Sequence, residues 1–170
     1  MTHLDTLSNL LSHIQNGQKN GVLVIEYKNS RKVVALLNIL QSSGYIRGYR
    51  WAPRTGGPQQ DPTEPPQVKV GGRISILLRY LNEKPAIGKA IRISKPSRRV
   101  YLDVNQLASF LCVRAKGQGA HTGGEISHEG LMQGTLILST PKGIMSGTAA
   151  YKLNVGGELL ARITSCRLGA

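Results

Sequence analysis

Ser139-Thr140-Pro141-Lys142-Gly143 sets two hydroxyls beside an amine and a glycine, between the apolar runs TLIL and AAYKL. Three chemistries suit such a loop: a nucleophile, a phosphate cradle, or a probe for a nucleic-acid groove. A serine nucleophile needs a base, usually histidine, oriented by a carboxylate. The four histidines are His3, His13, His121 and His128, and none comes with a motif. The context LILST is not the G-x-S-x-G turn that exposes a hydrolase serine. A phosphate loop has its best candidate in RAKGQGAHTGGE, yet Thr122 stands where the third glycine of G-x-G-x-x-G belongs, and the order G-x-x-x-x-G-K-[ST] is missing. Cys112, His121, Glu125 and His128 could ligate a metal, but their spacing matches no ordinary zinc pattern. The sequence therefore predicts no catalytic residue, no metal and no cofactor.

The groove probe is left, and the charge favours it. The 170 residues hold 22 Lys and Arg against 9 Asp and Glu, a net charge of +13. A small domain stays soluble with about 2–8. A field this strong attracts polyanions, nucleic acid first and anionic membrane second. The basic residues also cluster. Lys28, Arg31 and Lys32 stand at the predicted start of the second helix, where unpaired N–H groups also favour phosphate. RISKPSRRVY carries Arg92, Lys95, Arg98, Arg99 and Tyr101 within ten residues. It reads as a hairpin whose tip lies on a phosphate backbone. Ser139 and Thr140 can donate to and accept from a 2′-hydroxyl or a base edge. Lys142 would meet phosphate, and Gly143 permits close approach or positive φ. Aromatic residues are few, one Phe, six Tyr and one Trp. That argues for structured RNA read by shape over single strands read by stacking.

The elements that must position these residues follow from periodicity. Leu4, Leu7, Leu10, Leu11 and Ile14 predict a helix over 4–15, stopped by Asn16-Gly17. VLVIEY, 22–27, predicts a strand. Ser30 predicts the cap of a helix to Ser43, with Val33, Val34, Leu37 and Leu40 as its buried stripe and Gly44 as its stop. Strands are predicted at 45–51 and 72–81, paired with each other across a break at 52–67 that holds five prolines. The second half predicts strands at 87–94, 97–102, 134–139 and 158–166. Helices are predicted at 103–111, capped by Asp103, and at 146–157, capped by Ser146. The glycine-rich 113–133 reads as a loop or insertion. The expected fold class is α+β: an N-terminal α/β lobe (α-β-α-β-β, 1–81) packed beside a mostly β C-terminal lobe with short helices (82–170). No internal repeat is visible.

No apolar run reaches the ~18 residues that read as a membrane-spanning helix. MTHLDTLSNLL has neither the basic start of a secretory signal nor the arginine-rich character of a transit peptide. Cys112 and Cys166 read as free, buried thiols.

Four segments, in order, resemble the universal family of small-subunit ribosomal protein eight. STPKGIMSGTAAYKLNVGGELLARI is similar to its C-terminal signature, Ser-Thr-Ser-x-Gly-Ile/Val-Met-Ser/Thr, then an alanine-bearing helix, then Gly-Gly-Glu and a strand. IRISKPSRRVYL resembles its Arg-x-Ser-x-Pro-Gly-x-Arg-x-Tyr segment, LDTLSNLLSHIQNGQ its opening helix, and VVALLNILQSSGYI its second helix. The resemblance implies a structural protein, not an enzyme, that binds the central domain of small-subunit rRNA, supports assembly and translation, and contacts neighbouring ribosomal proteins. It implies no membrane and no small-molecule substrate. Ser139 and Thr140 would enter the minor groove, with Gly143 shaping the loop. Glu158 falls on the Gly-Gly-Glu position, and Tyr101, Lys95, Arg98 and Arg99 would lie near the same site. The N-terminal lobe would lay Lys28, Arg31 and Lys32 on phosphate. Pro141 stands where the bacterial pattern has Ser, and Ser97 where it has Gly. The long 113–133 and the proline-rich 52–67 are additions that resemble those of an organellar ribosome, in the mitochondrial matrix. The rival reading is a basic scaffold that binds an acidic partner without RNA.

Overall fold

The computed structural model describes residues 5–52, 72–111, 113–114, 125–126 and 134–166. The chain forms two compact units, Met1–Ala86 and Ile87–Ala170. The architecture is α+β, with an α/β first unit and a mostly β second unit.

In the first unit, α1 (Thr6–Lys19) and α2 (Arg31–Ser42) pack on a three-stranded antiparallel sheet of order β1 (Val24–Lys28), β3 (Arg73–Leu78), β2 (Ile46–Ala52). Ile74, Ile76 and Leu78 of the central β3 alternate onto one face and are buried with Leu10, Ile14, Leu37 and Leu40 of the helices. A two-residue ladder, β4 (Tyr80–Leu81) with β5 (Lys84–Pro85), completes the unit and carries it past the division expected at 81/82. Asp5 caps α1 by accepting the Ser8 N–H at 3.2 Å. The expected stop at Asn16-Gly17 is wrong, because the helix runs on to Lys19. Gly17 serves packing instead: a Cβ there would stand 2.9 Å from Ile25 Cγ2. The stripe of α2 also needs correction. Leu36 and Ile39 join Val33, Leu37 and Leu40 in the core, while Val34 is only half-buried. Ser30 occupies the N-cap position without a side-chain bond to the helix.

The second unit is built on β12 (Gly157–Ser165). One edge of β12 pairs antiparallel with β10 (Thr135–Thr140), which pairs in turn with β11 (Gly143–Ser146). The other edge pairs with β6 (Ile87–Arg92) and, further along, with β7 (Tyr101–Leu102). Between Ile137 and Leu138 the register slips by one residue, so that Leu159 and Leu160 are both buried. Two short helices, α3 (Val104–Phe110) and α4 (Gly147–Lys152), pack against each other. Leu107 of α3 and Ala150 of α4 close a core with Leu136, Leu138, Leu159 and Leu102 of the sheet. Asp103 stands at the N-cap of α3, where its N–H donates to Gln106 Oε1 at 3.1 Å. Ser146 caps α4 by accepting the Ala149 N–H at 3.3 Å.

Three expectations for this unit change. The strand predicted at 97–102 shrinks to Tyr101–Leu102, and it does not pair with 87–94. The predicted loop at 113–133 contains a short ladder, β8 (Val113–Arg114) with β9 (Glu125–Ile126); its other residues and the 53–67 part of the proline-rich break lie outside the described residues. Cys166 is partly exposed rather than buried; Cys112 lies outside the described residues. Leu107 is wholly buried where helix meets sheet, so Leu107→Ala should cost about 2–5 kcal/mol. Thermal melting of the two proteins checks this.

Candidate nucleic-acid interface

Ser139-Thr140-Pro141-Lys142-Gly143 is the turn of a β-hairpin, not a strand-to-helix connection. Thr140 pairs with Gly143, leaving Pro141-Lys142 as a two-residue tip. A proline and a glycine between two apolar runs is a hairpin signal, which the following helix cap masked. The Thr140 hydroxyl closes the turn: it donates to the Gly143 carbonyl at 2.9 Å and accepts the Lys142 N–H at 3.2 Å. Gly143 has φ +116°, a conformation side chains strain against. Thr140 is buried at 8% exposure. The expectation that its hydroxyl enters a groove therefore gives way to a role in shaping the tip. Pro141, Lys142 and Gly143 are exposed, and Ser139 is half-exposed.

Strand register places the other residues. Ser139 pairs with Ile144 on one side and Glu158 on the other, and Glu158 pairs with Tyr101. Directly paired residues share a sheet face, so Ser139, Glu158 and Tyr101 form one row across three strands. Tyr101 is 68% exposed. Two glycines make the row possible. A Cβ on Gly157 would stand 2.3 Å from the Ser139 carbonyl oxygen, and one on Gly156 would stand 2.6 Å from that of Leu102. No side chain fits there, which accounts for Gly-Gly before Glu158.

The basic segment leaves the sheet and returns at one residue. The Ser94 N–H donates to the Leu159 carbonyl at 3.1 Å, and the Leu159 N–H donates to the Val100 carbonyl at 2.9 Å. Residues 95–99 loop out between these bonds. Lys95 and Arg98 close the loop through two backbone hydrogen bonds of 2.9 and 3.0 Å around Pro96-Ser97. Lys95, Arg98 and Arg99 are exposed. Arg99 Nη1 reaches back to Glu158 Oε1 at 2.8 Å, and the Ser94 hydroxyl donates to the same oxygen. Burial of Glu158 pushes its carboxyl pKa up, but the hydrogen bonds from Ser94 and Arg99 and the charges of Arg99 and Arg92 outweigh this and hold it below the ordinary value. Ser94 received no role from the sequence because it ends a predicted strand, and no local signal links it to Glu158, 64 residues away.

The structure thus brings together Ser139, Thr140, Lys142, Gly143, Glu158, Lys95, Arg98, Arg99 and Tyr101 on the second unit. Lys28, Arg31 and Lys32 belong to the first unit, exposed at the end of β1 and the start of α2. His13 is exposed on α1, its ring tilted 6.0 Å from that of Tyr27. His3, His121 and His128 lie outside the described residues. Among the described residues no three metal-ligating side chains gather, and no helix is long and apolar enough to cross a membrane.

A hydroxyl, a carboxylate and a ring in one row, flanked by a basic loop and a lysine-tipped turn, form a surface suited to nucleic acid. The family model described as Ribosomal protein S8 matches residues 5–121 and 120–164. The small ribosomal subunit protein uS8 of Bartonella quintana is 36% identical over 168 residues, covering 96% of this chain and 99% of its own. Those of Cereibacter sphaeroides and Paracoccus denitrificans are 35% and 31% identical, covering 94% and 96% of this chain and 98% and 99% of their own. The chain belongs to the ribosomal protein S8 family.

Glu158 gives a pH test. Its folded pKa lies below that of an unfolded glutamate, about 4.3, so its ionised form stabilises the fold above that value. The contribution disappears as pH falls through the folded pKa. Chemical denaturation should therefore find the wild type more stable than Glu158→Gln at neutral pH, with the gap closing only below about pH 4.

Proposed function

We propose that this chain is a structural constituent of the small ribosomal subunit that binds small-subunit rRNA. The carrying observation is membership of the ribosomal protein S8 family along nearly the whole chain, joined to a basic, hydroxyl-bearing surface where the family signature falls. Within that function, the central domain of the rRNA is the target and neighbouring small-subunit proteins are the further partners. The role is in assembly and translation, and no residue is assigned to catalysis. The ribosome is the location. The relatives named above are bacterial, and they lend the mitochondrial reading no support.

The labour divides by chemistry. Lys142 at the hairpin tip, with Lys95 and Arg98 on the excursion, supplies phosphate contacts, which are strong, salt-dependent and indifferent to sequence. Lys28, Arg31 and Lys32 do the same from the first unit. Ser139, Glu158 and Tyr101 read the groove, by hydrogen bonds and by the ring's flat contact with ribose or base. Thr140 and Gly143 hold the tip in the shape that presents Ser139 and Lys142. Arg99 divides its charge between Glu158 and phosphate.

A titration against a central-domain rRNA fragment, with a scrambled hairpin as competitor at two salt concentrations, tests the reading. The wild type should prefer the fragment, and the preference should survive higher salt. Arg98→Ala should weaken both RNAs alike and reduce the salt slope by about 1. Ser139→Ala should lower the preference by about 1–3 kcal/mol, the size of a lost groove contact, with the salt slope unchanged. Equal, salt-sensitive binding of the wild type to both RNAs would reduce the surface to a general polyanion binder. Survival of its cellular complex after RNase treatment would favour the acidic-partner reading.

A further inference from the structure

Glu158 is a carboxylate inside a basic surface, and among the described residues one of its oxygens takes both hydrogen bonds. Both donors, the Ser94 hydroxyl and Arg99 Nη1, bond Oε1. Among the described residues no hydrogen bond reaches Oε2. The Glu158 side chain keeps 14% of its surface exposed, while Ser94 is wholly buried. Ser94 is held by its own backbone, whose N–H donates to Leu159, the neighbour of Glu158. Its hydroxyl thus hangs from an anchored, buried backbone beside Glu158, whereas the exposed Arg99 has a long, flexible side chain. A carboxylate bonded on one oxygen by a rigid donor cannot spin, and its second oxygen faces a set direction.

We propose that Ser94 is a positioning residue which makes Glu158 a one-sided acceptor, its Oε2 offered to a hydrogen-bond donor of the RNA groove, a 2′-hydroxyl or a base amino group. This rests on the rRNA-binding reading above. A carboxylate accepts only, so it bonds these donors strongly and repels phosphate oxygen. In a chain of net charge +13, every phosphate is attracted and attraction alone discriminates nothing. One fixed negative acceptor within the positive field supplies the missing rejection: a backbone phosphate set against the row is turned away, and a groove donor is accepted. Ser139 and Tyr101, paired either side along the row, confine the donor laterally.

The test uses the full chain and the same two RNAs, with melting of each variant measured alongside. Ser94→Ala should lower the cognate-to-scrambled affinity ratio roughly tenfold, the size of one charge-assisted hydrogen bond. It should leave the salt slope and the scrambled-RNA affinity unchanged, and Ser94→Thr, which keeps the hydroxyl, should restore the ratio. Glu158→Gln can place an amide donor where Oε2 was, so it should lower the ratio while tightening scrambled RNA. Cognate RNAs with 2′-deoxy or inosine substitutions separate the two donor sources. The source that Glu158 reads should cost the wild type about tenfold and Ser94→Ala almost nothing more. A Ser94→Ala ratio equal to wild type overturns the proposal, as does an equal loss on both RNAs, which marks a structural role. Should Ser94→Ala melt below the assay temperature, Glu158→Gln decides, and an unchanged ratio overturns the proposal. If the wild type itself shows no preference, the rRNA reading fails first and this inference falls with it.

Discussion

The candidate surface depends on β12 and on how closely its neighbours approach it. Gly156 and Gly157 let the backbones around Leu102 and Ser139 come to distances that no Cβ permits. Two residues on, the Leu159 N–H and carbonyl bond Val100 and Ser94, so both ends of the basic excursion are tied to one residue. The Leu159 side chain meanwhile enters the core with Leu138, Leu107 and Leu102. One short run, Gly156 to Leu159, therefore joins core packing, strand spacing and loop placement. Its one polar side chain, Glu158, faces the site.

That arrangement explains how a basic protein could be selective. Lysines and arginines on loops give affinity without information. Here they surround a row whose members are fixed by strand register, and a sheet holds groups more exactly than a loop does. Thr140 and Gly143 extend that rigidity to the hairpin tip, since the turn is closed by side-chain hydrogen bonds as well as by backbone pairing. Glu158 adds an acceptor that its neighbours keep ionised against the cost of burial.

Much of the fold was legible because its signals are local. The leucine spacing of α1, the β-branched runs of β1 and β3, and the caps at Ser146 and Asp103 each declare themselves within a few residues. The errors fell where a distant partner decides. Gly17 reads as a helix stop, but its missing Cβ makes room for Ile25 and Leu78, which only the fold brings near. RVYL reads as a full strand, but β12 takes only Tyr101 and Leu102 as partners in the ladder. The tip at Pro141-Lys142 looks like a lead into the helix because β11 is four residues long and ends at a helix cap.

The same division holds for the site. Sequence alone determined the charge, the clustering of Lys95, Arg98 and Arg99, the hydroxyls beside Lys142, and the family likeness that joins them, because all are matters of composition and order. Tertiary structure decided which hydroxyl is spent and which is offered. Thr140 turns inward to close the hairpin and Ser139 stands in the row, although the two are adjacent in the chain. It also decided that Ser94, 64 residues from Glu158, donates to that carboxylate. Strand register set both outcomes, because adjacent residues on a strand point to opposite faces, and which face meets the core depends on pairings that no local stretch contains.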